Sequence, residues 1–258
     1  MSDVIGEQHG KIFSITLNRV EKCNAFDDTM IKNLQQIFEE ARDNDNIKVI
    51  ILKANGRHFS AGADVSWMQR MTHYSMEENK TDAMHLARLM HTIYACEKPT
   101  IAMVQGDAFG GGAGIAATCD ITIASENARF CFSEVKLGLI PAVISPYVIR
   151  AIGERKATEL FMTAEMIHAQ SAYDIQLIQH CVPQEKLSAF TFDLAEKITK
   201  NAPLAVKAAK AMVRLVGGQP IDDAMQKLTA SLIASIRVSS EGQNGLNAFL
   251  NKTKPSWN

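Results

Sequence analysis

Two hydrophobic rhythms alternate through the first half of the chain. KIFSITLNR at 11–19 and IKVIILKANG at 47–56 are rich in Ile and Val, and the second closes in turn residues. Both read as strands, the second of them buried. Between them Asp27 stands where a helix cap is expected, and Met30, Ile31, Leu34, Ile37, Phe38 and Ala41 recur on one helical face. Residues 75–96 also have helix spacing, with Met84, Ala87, Leu89, Met90 and Ile93 as the expected core positions. A strand at 100–105, a helical stretch at 115–119 and a strand at 120–125 follow. Strands alternating with helices predict crossover units and a largely parallel sheet, hence an α/β fold.

Beyond Pro146 the pattern predicts helices only, over 154–163, 183–200, 203–215 and 220–235. Pro183, Pro203 and Pro220 fall where first-turn prolines are tolerated. The expected organisation is an α/β core over 1–195 followed by a helical region over 196–258, with no fixed-period repeat.

Composition narrows the function classes. The 258 residues carry a net charge of -1, which argues against broad attraction to nucleic acid or anionic membrane. MSDVIGEQ has neither the basic nor the apolar stretch of a secretory leader, and no apolar run approaches the ~20 residues of a membrane span. Five cysteines without a CxxC pair suit a reducing, cytoplasmic setting. The His and Cys residues lack ligand spacing, so no metal is expected.

The stretch GDAFGGGAGIA, 106–116, carries five glycines and a single ionisable side chain, Asp107. Glycine is costly to order, so something there requires bare backbone. A phosphate-cradling P-loop needs Lys after its glycines, and none follows. Gly112, Gly114 and Ala117 fit a dinucleotide fingerprint, with Glu134 as the ribose acid, but the expected strand ends at Gly106, too early. A third reading uses the backbone itself. N–H groups at a helix start are unpaired and favour a developing negative oxygen. A close strand–helix crossing that merely needs small residues is the competing reading. FSAGADVSWM, 59–68, has the same design, a turn after a buried strand with Asp64 near the first helical turn. Two such turns would present two N–H donors to one oxygen.

Taken together, LNRVEKCNAFD, FSAGAD, GDAFGGGAGIAATCD, ARFCFSEVKLGLIPA and the tail TKPSWN resemble the crotonase, or enoyl-CoA hydratase/isomerase, superfamily over essentially the whole chain. FSAGADVSWMQRM with GLIPAVISPYVIRAIGERKA looks most like bacterial hydratases of 3-methylglutaconyl-CoA and related branched, carboxylated enoyl-CoAs. The resemblance implies an α/β spiral of ββα units with a C-terminal helical trimerisation region, in a homotrimer or homohexamer. It maps the oxyanion donors onto the N–H groups of Ala63 and Gly111, which would hold the thioester carbonyl oxygen. Family hydratases commonly carry two glutamates. Here one is Glu134, and Gly114 occupies the position of the other, a vacated volume expected to serve branched acyl carbons.

By the same resemblance the substrate is an acyl-CoA thioester, with coenzyme A part of the substrate and no separate cofactor. CoA would lie along Lys22, Asn24, Ala25 and Ala61, with Lys22 first candidate for its phosphates; Gly110 and Pro141 belong to the matched segments. Asp64 and Asp120 read as caps or turn anchors, and Trp67 as either a wall of the acyl pocket or core. Arg150, Arg57 and His58 are candidates for a distal carboxylate. Hydration is favoured; isomerisation of a 3-enoyl-CoA through Glu134, or a non-enzymatic acyl-CoA or RNA binder using the basic helix at 206–214, remain the alternatives.

Overall fold

The Ile- and Val-rich runs line up side by side. In the computed structural model, which describes residues 2–257, β1 (Val4–His9) and β2 (Ile12–Leu17) form an antiparallel hairpin. From β2 onward β3 (Val49–Ala54), β4 (Thr100–Val104), β6 (Ile121–Ser125) and β9 (His180–Val182) add in parallel, in the order β1-β2-β3-β4-β6-β9.

Strand side chains alternate between faces, so a strand buried on both sides reads as one unbroken apolar run. On β3, Ile50 and Leu52 pack with Met30, Leu34 and Phe38 of α1 (Asp28–Asp43) and with Leu89 and Ile93 of α3 (Met76–Ala95). Val49 and Ile51 face the other way, with Leu187 and Ala195 of α7 (Leu187–Thr199). Each such side chain, fully buried, contributes roughly 1.5–3 kcal/mol of transfer free energy.

Asp27 caps α1 by accepting the Met30 N–H, as the sequence predicts, and Ser75 closes a capping box with Glu78 at the start of α3. Two of the expected core positions on α3 are not core. Met84 is exposed and Ala87 half-buried, because the first turns of this helix run clear of the sheet.

A second, narrower layer is assembled from short segments that lie between the strands of the main sheet along the chain. β5 (Ala108–Phe109), β7 (Arg129–Cys131) and β8 (Ile167–His168) form it, and single parallel bridges join Ser60 to Ala108 and Phe26 to Ala63. After that layer the chain enters a helix: α1 after Phe26, α2 (Val65–Met71) after Ala63, and α4 (Gly111–Thr118) after β5. Strand, short strand, helix is thus the repeating turn of the spiral.

The second half is not helical only, since β8 and β9 lie within it. Strands of two or three residues are too short to show a period. α5 (Ser145–Thr163) has Pro146 in its first turn, where a first-turn proline suits a helix start, and runs on into the stretch expected at 154–163 across a break at Gly153, where φ is +75°. α6 (Ala169–Asp174), α8 (Pro203–Val216), α9 (Asp223–Val238) and α10 (Ser240–Leu250) complete the fold. Of the three prolines, Pro203 alone opens a helix in its first turn. Pro183 precedes the short 3-10 turn Gln184–Lys186, and Pro220 lies ahead of α9, which Asp222 caps. Among the described residues no helix is long and apolar enough to cross a membrane.

Candidate active site

The loops that follow β3 and β4 are fastened to each other. The N–H groups of Phe59 and Ser60 both donate to the carbonyl of Asp107, at 2.9 and 3.0 Å, and Phe109 donates to the carbonyl of Ser60 at 2.9 Å. That approach is what the glycines serve. A Cβ at Gly106 would lie 1.9 Å from the carbonyl oxygen of Arg57, and one at Gly112 would lie 2.7 Å from Cβ of Ser60. Both readings of the glycine run are therefore present: a close crossing, and backbone left bare at a helix start.

In the first loop, Phe26 donates to the carbonyl of Gly62 (2.7 Å) and Asp64 donates to the carbonyl of Phe26 (2.8 Å). These bonds flank Ala63, whose own N–H faces away from the bridge and has no acceptor among the described residues. In the second loop, Gly111 is the first residue of α4. The opening helical bond runs from the Gly114 N–H to the Gly110 carbonyl at 3.0 Å, which leaves the Gly111 N–H unpaired at the positive end of the helix. A Cβ at Gly62 would lie 3.2 Å from the carbonyl oxygen of Phe109, so the two donor-bearing turns pass close to one another here.

Glu134 reaches the same place from β7. It opens a short 3-10 turn, Glu134–Leu137, and its carboxylate lies against Gly110. A Cβ at Gly110 would sit 3.0 Å from Oε1, and Gly110 has φ +48°, so position 110 requires glycine twice over. Oε2 of Glu134 is buried without a hydrogen-bond partner among the described residues. Burial pushes the Glu134 carboxyl above the usual glutamate range.

Gly114 is where structure and expectation part. A Cβ there would lie 2.2 Å from Cγ2 of Ile144, a residue only 2 % exposed just ahead of α5. The space beside Gly114 is not open to a substrate; Ile144 occupies it. Pro141, just upstream, is buried and its carbonyl accepts the Ser145 N–H.

The remaining candidates separate. Asn24 is buried, with φ +54°; its amide accepts the Arg19 N–H at 2.8 Å and donates to the carbonyls of Asn55 and His58, both at 2.9 Å. It is a bracket for the turn, as is Ala25, whose carbonyl accepts from Arg19. Ala61 is exposed, and its N–H is taken by the Cys23 carbonyl. Lys22 projects outward with Nζ 3.8 Å from Asp64. Asp64 caps α2 through the N–H groups of Ser66 and Trp67. Although burial works against its charge, those bonds with Arg19 and Lys22 hold its carboxyl below the usual range.

Trp67 is core, and its indole N–H donates to Asp82 at 3.0 Å. Arg150 is not beside Glu134. It sits 5.8 Å from the ring of Tyr94, lining a cavity of about 1100 Å³ with Arg214 and Asp120, past the opposite end of α4 from Gly111. Asp120 anchors there as a turn residue, accepting from Thr100, Lys210 and Arg214. His58 is engaged with Asp107 (Nδ1 to Oδ2, 3.2 Å), whereas Arg57 is exposed and has no ion-pair partner among the described residues.

Sequence reasoning missed Arg19. Its guanidinium joins Asp27 at 2.8 Å and Asp64 at 3.3 Å, so one cation ties the caps of α1 and α2. It missed Ile144 also, since no pattern along the chain reveals which residue fills a glycine's missing side chain.

Two unpaired N–H donors on interlocked turns, with a buried carboxylate oxygen beside one of them, form an arrangement able to stabilise a developing negative oxygen and to move a proton next to it. The profile of the enoyl-CoA hydratase/isomerase family matches residues 7–258, and the chain belongs to that family of enzymes. The 2,3-dehydroadipyl-CoA hydratase of Escherichia coli is 32% identical over 261 residues, covering 100% of this chain and 99% of the relative. The short-chain-enoyl-CoA hydratase of Clostridium acetobutylicum is 32% identical, covering 98% and 97%. Among solved structures, a Legionella pneumophila protein assigned provisionally as an enoyl-CoA hydratase/isomerase (crotonase) superposes with TM-score 0.97 at 55% identity over 100% of both chains. An enoyl-CoA hydratase from Shewanella pealeana superposes with TM-score 0.96 at 42% identity over 99% of this chain and 96% of that one.

Proposed function

We propose that the protein hydrates an enoyl-CoA, with the N–H groups of Ala63 and Gly111 on the thioester oxygen and Glu134 as the acid/base. The observation that carries this reading is the buried Oε2 of Glu134, without a hydrogen-bond partner among the described residues, on a carboxylate lying against the turn that bears an unpaired N–H. Polarising the thioester carbonyl draws electron density from Cβ. Glu134 takes a proton from water as the water oxygen bonds to Cβ, the electron pair resting on the thioester oxygen. The proton then passes from Glu134 to Cα as the carbonyl reforms. Removal of one such N–H donor typically costs about 3 kcal/mol of barrier. Coenzyme A arrives as part of the substrate, its phosphates near Lys22.

For the acyl group, the segments FSAGADVSWMQRM and GLIPAVISPYVIRAIGERKA support a branched, carboxylated enoyl-CoA such as 3-methylglutaconyl-CoA. Arg57, exposed ahead of the first donor turn and without an ion-pair partner among the described residues, is a candidate cation for its distal carboxylate. A second reading rests on Ile144. With that side chain against Gly114, position 114 offers no second carboxylate, and one glutamate suffices to carry a proton between C2 and C4 of a 3-enoyl-CoA.

The deciding experiment is turnover of 3-methylglutaconyl-, crotonyl- and 3-enoyl-CoA, with water addition and double-bond migration assayed separately. Glu134→Gln is expected to lower kcat by about 10²–10⁴-fold with acyl-CoA affinity little changed. Turnover by that variant near the unmodified rate sinks the proposal. Migration without hydration on every substrate selects the isomerase.

A further inference from the structure

Asp107 is the one ionisable side chain in the glycine stretch, and the chemistry above makes no use of it. It is 6 % exposed. Its carboxylate takes a two-pronged pair of bonds from Arg129, Nε to Oδ1 at 2.8 Å and Nη2 to Oδ2 at 2.7 Å, and lies 3.2 Å from Nδ1 of His58. Its carbonyl accepts the N–H groups of Phe59 and Ser60. Three segments meet on this residue. His58 to Ser60 lead into Ala63, Asp107 itself leads into Gly111, and Arg129 opens β7, which leads into Glu134.

We propose that Asp107, through its bonds to Arg129, is the positioning residue that fixes the two N–H donors and Glu134 relative to one another. This inference rests on the roles given to those groups above. The physical reason is the tolerance of such sites, where a displacement near 1 Å costs on the order of 10²-fold in rate. A planar guanidinium gripping both carboxylate oxygens fixes direction as well as distance, which a lysine in its place does not. His58 Nδ1 approaches the same carboxylate from the other side, 3.2 Å from Oδ2, so both neighbouring segments meet on Asp107. The carboxylate touches neither of the proposed donor N–H groups nor Glu134, so its effect on the reaction passes entirely through the loops it joins.

The test uses the full-length protein with Asp107→Asn, Arg129→Gln and Arg129→Lys. Crotonyl-CoA serves for kinetics and carbonyl-labelled butyryl-CoA, which has no double bond to hydrate, for infrared spectroscopy. Asp107→Asn and Arg129→Gln are expected to lower kcat roughly 10- to 100-fold with KM changed less than about threefold. Arg129→Lys is expected to fall between them and the unmodified protein. The carbonyl stretch of bound butyryl-CoA, lowered by two converging N–H donors, is expected to move back toward its free value in the first two variants. That readout does not depend on Glu134, so it judges the placement of the donors even if Glu134→Gln retains turnover. If Asp107→Asn fails to fold, Arg129→Gln decides, because its side chain is partly exposed and its loss leaves the buried core intact. Folded variants with unmodified kcat and an unchanged carbonyl stretch overturn the inference.

Discussion

At the scale of single residues, the proposed chemistry turns on a carboxylate whose burial opposes its charge. Burial pushes the Glu134 carboxyl above the usual glutamate range. The proposed mechanism needs the charged form to accept a proton from water. The acid limb of kcat/KM is therefore expected to fall with an apparent pKa above the ordinary glutamate value of about 4.3, measured from pH 4.5 to 8. A carboxyl whose folded pKa is raised destabilises the native state once the pH exceeds its unfolded pKa, and that penalty fades on acidification. Glu134→Gln is thus expected to unfold at a higher temperature than the unmodified protein near pH 7, the gap narrowing as the pH falls into the ordinary glutamate range. Equal unfolding temperatures at both ends would show that burial does not penalise the charge. Asp107 has the opposite sign. Arg129, outweighing burial, holds it below the usual range, so its contribution is present above the unfolded pKa and lost in acid.

At the scale of elements, α4 is the organising piece. Its first turn offers the Gly111 N–H, Gly110 makes room for Glu134, and Gly114 makes room for Ile144. Overfilling that last contact is expected to be costly. Gly114→Ala alone destabilises by about 1–3 kcal/mol through overpacking. Ile144→Ala alone costs about 2–5 kcal/mol through the cavity it leaves. Combined, the two are expected to cost less than their sum by about 0.5–3 kcal/mol, read from chemical denaturation of all four proteins. Strict additivity would mean that Ile144 does not occupy the volume at 114. The sequence made α4 legible as a glycine-rich helix start, and it flagged Gly114 as the place of a missing carboxylate. It did not reveal that the vacancy is filled, because Ile144 meets Gly114 only through the packing of α5 on α4. Likewise the hydrophobic period located the buried face of α1 and placed β3 to within two residues at either end. It overextended the core of α3, where Met84 is exposed, because a period reports a face and not how far the sheet beneath it reaches.

At the scale of the whole molecule, α8 is tied to the core by charged contacts. Lys210 and Arg214 of α8 both reach Asp120, Lys210 also donates to the Lys98 carbonyl, and Arg214 lies over the Tyr94 ring. α8 and α9 bury no residue fully within the chain, and α10 leaves Leu246, Phe249 and Leu250 exposed. Apolar surface of that extent on neighbouring helices marks an interaction face. A homotrimer or homohexamer is the proposed occupant. Light scattering is expected to give three or six times the 28.4 kDa chain mass. Phe249→Lys is expected to shift that mass downward, and a monomer in the unmodified protein would refute the assembly.

Local sequence by itself determined the succession β2, α1, β3, α3, β4, α4 and β6, the capped start of α1, and the two glycine-bearing turns that expose backbone N–H groups. Those follow from periodicity, capping and the cost of ordering glycine, all properties of residues close in the chain. Tertiary structure alone decided that Asp107 ties three loops, that Ile144 stands against Gly114, and that Arg150 lies with Tyr94 at the other end of α4 from Gly111. Those relations join residues far apart in sequence, set by packing and charge pairing that no local pattern encodes.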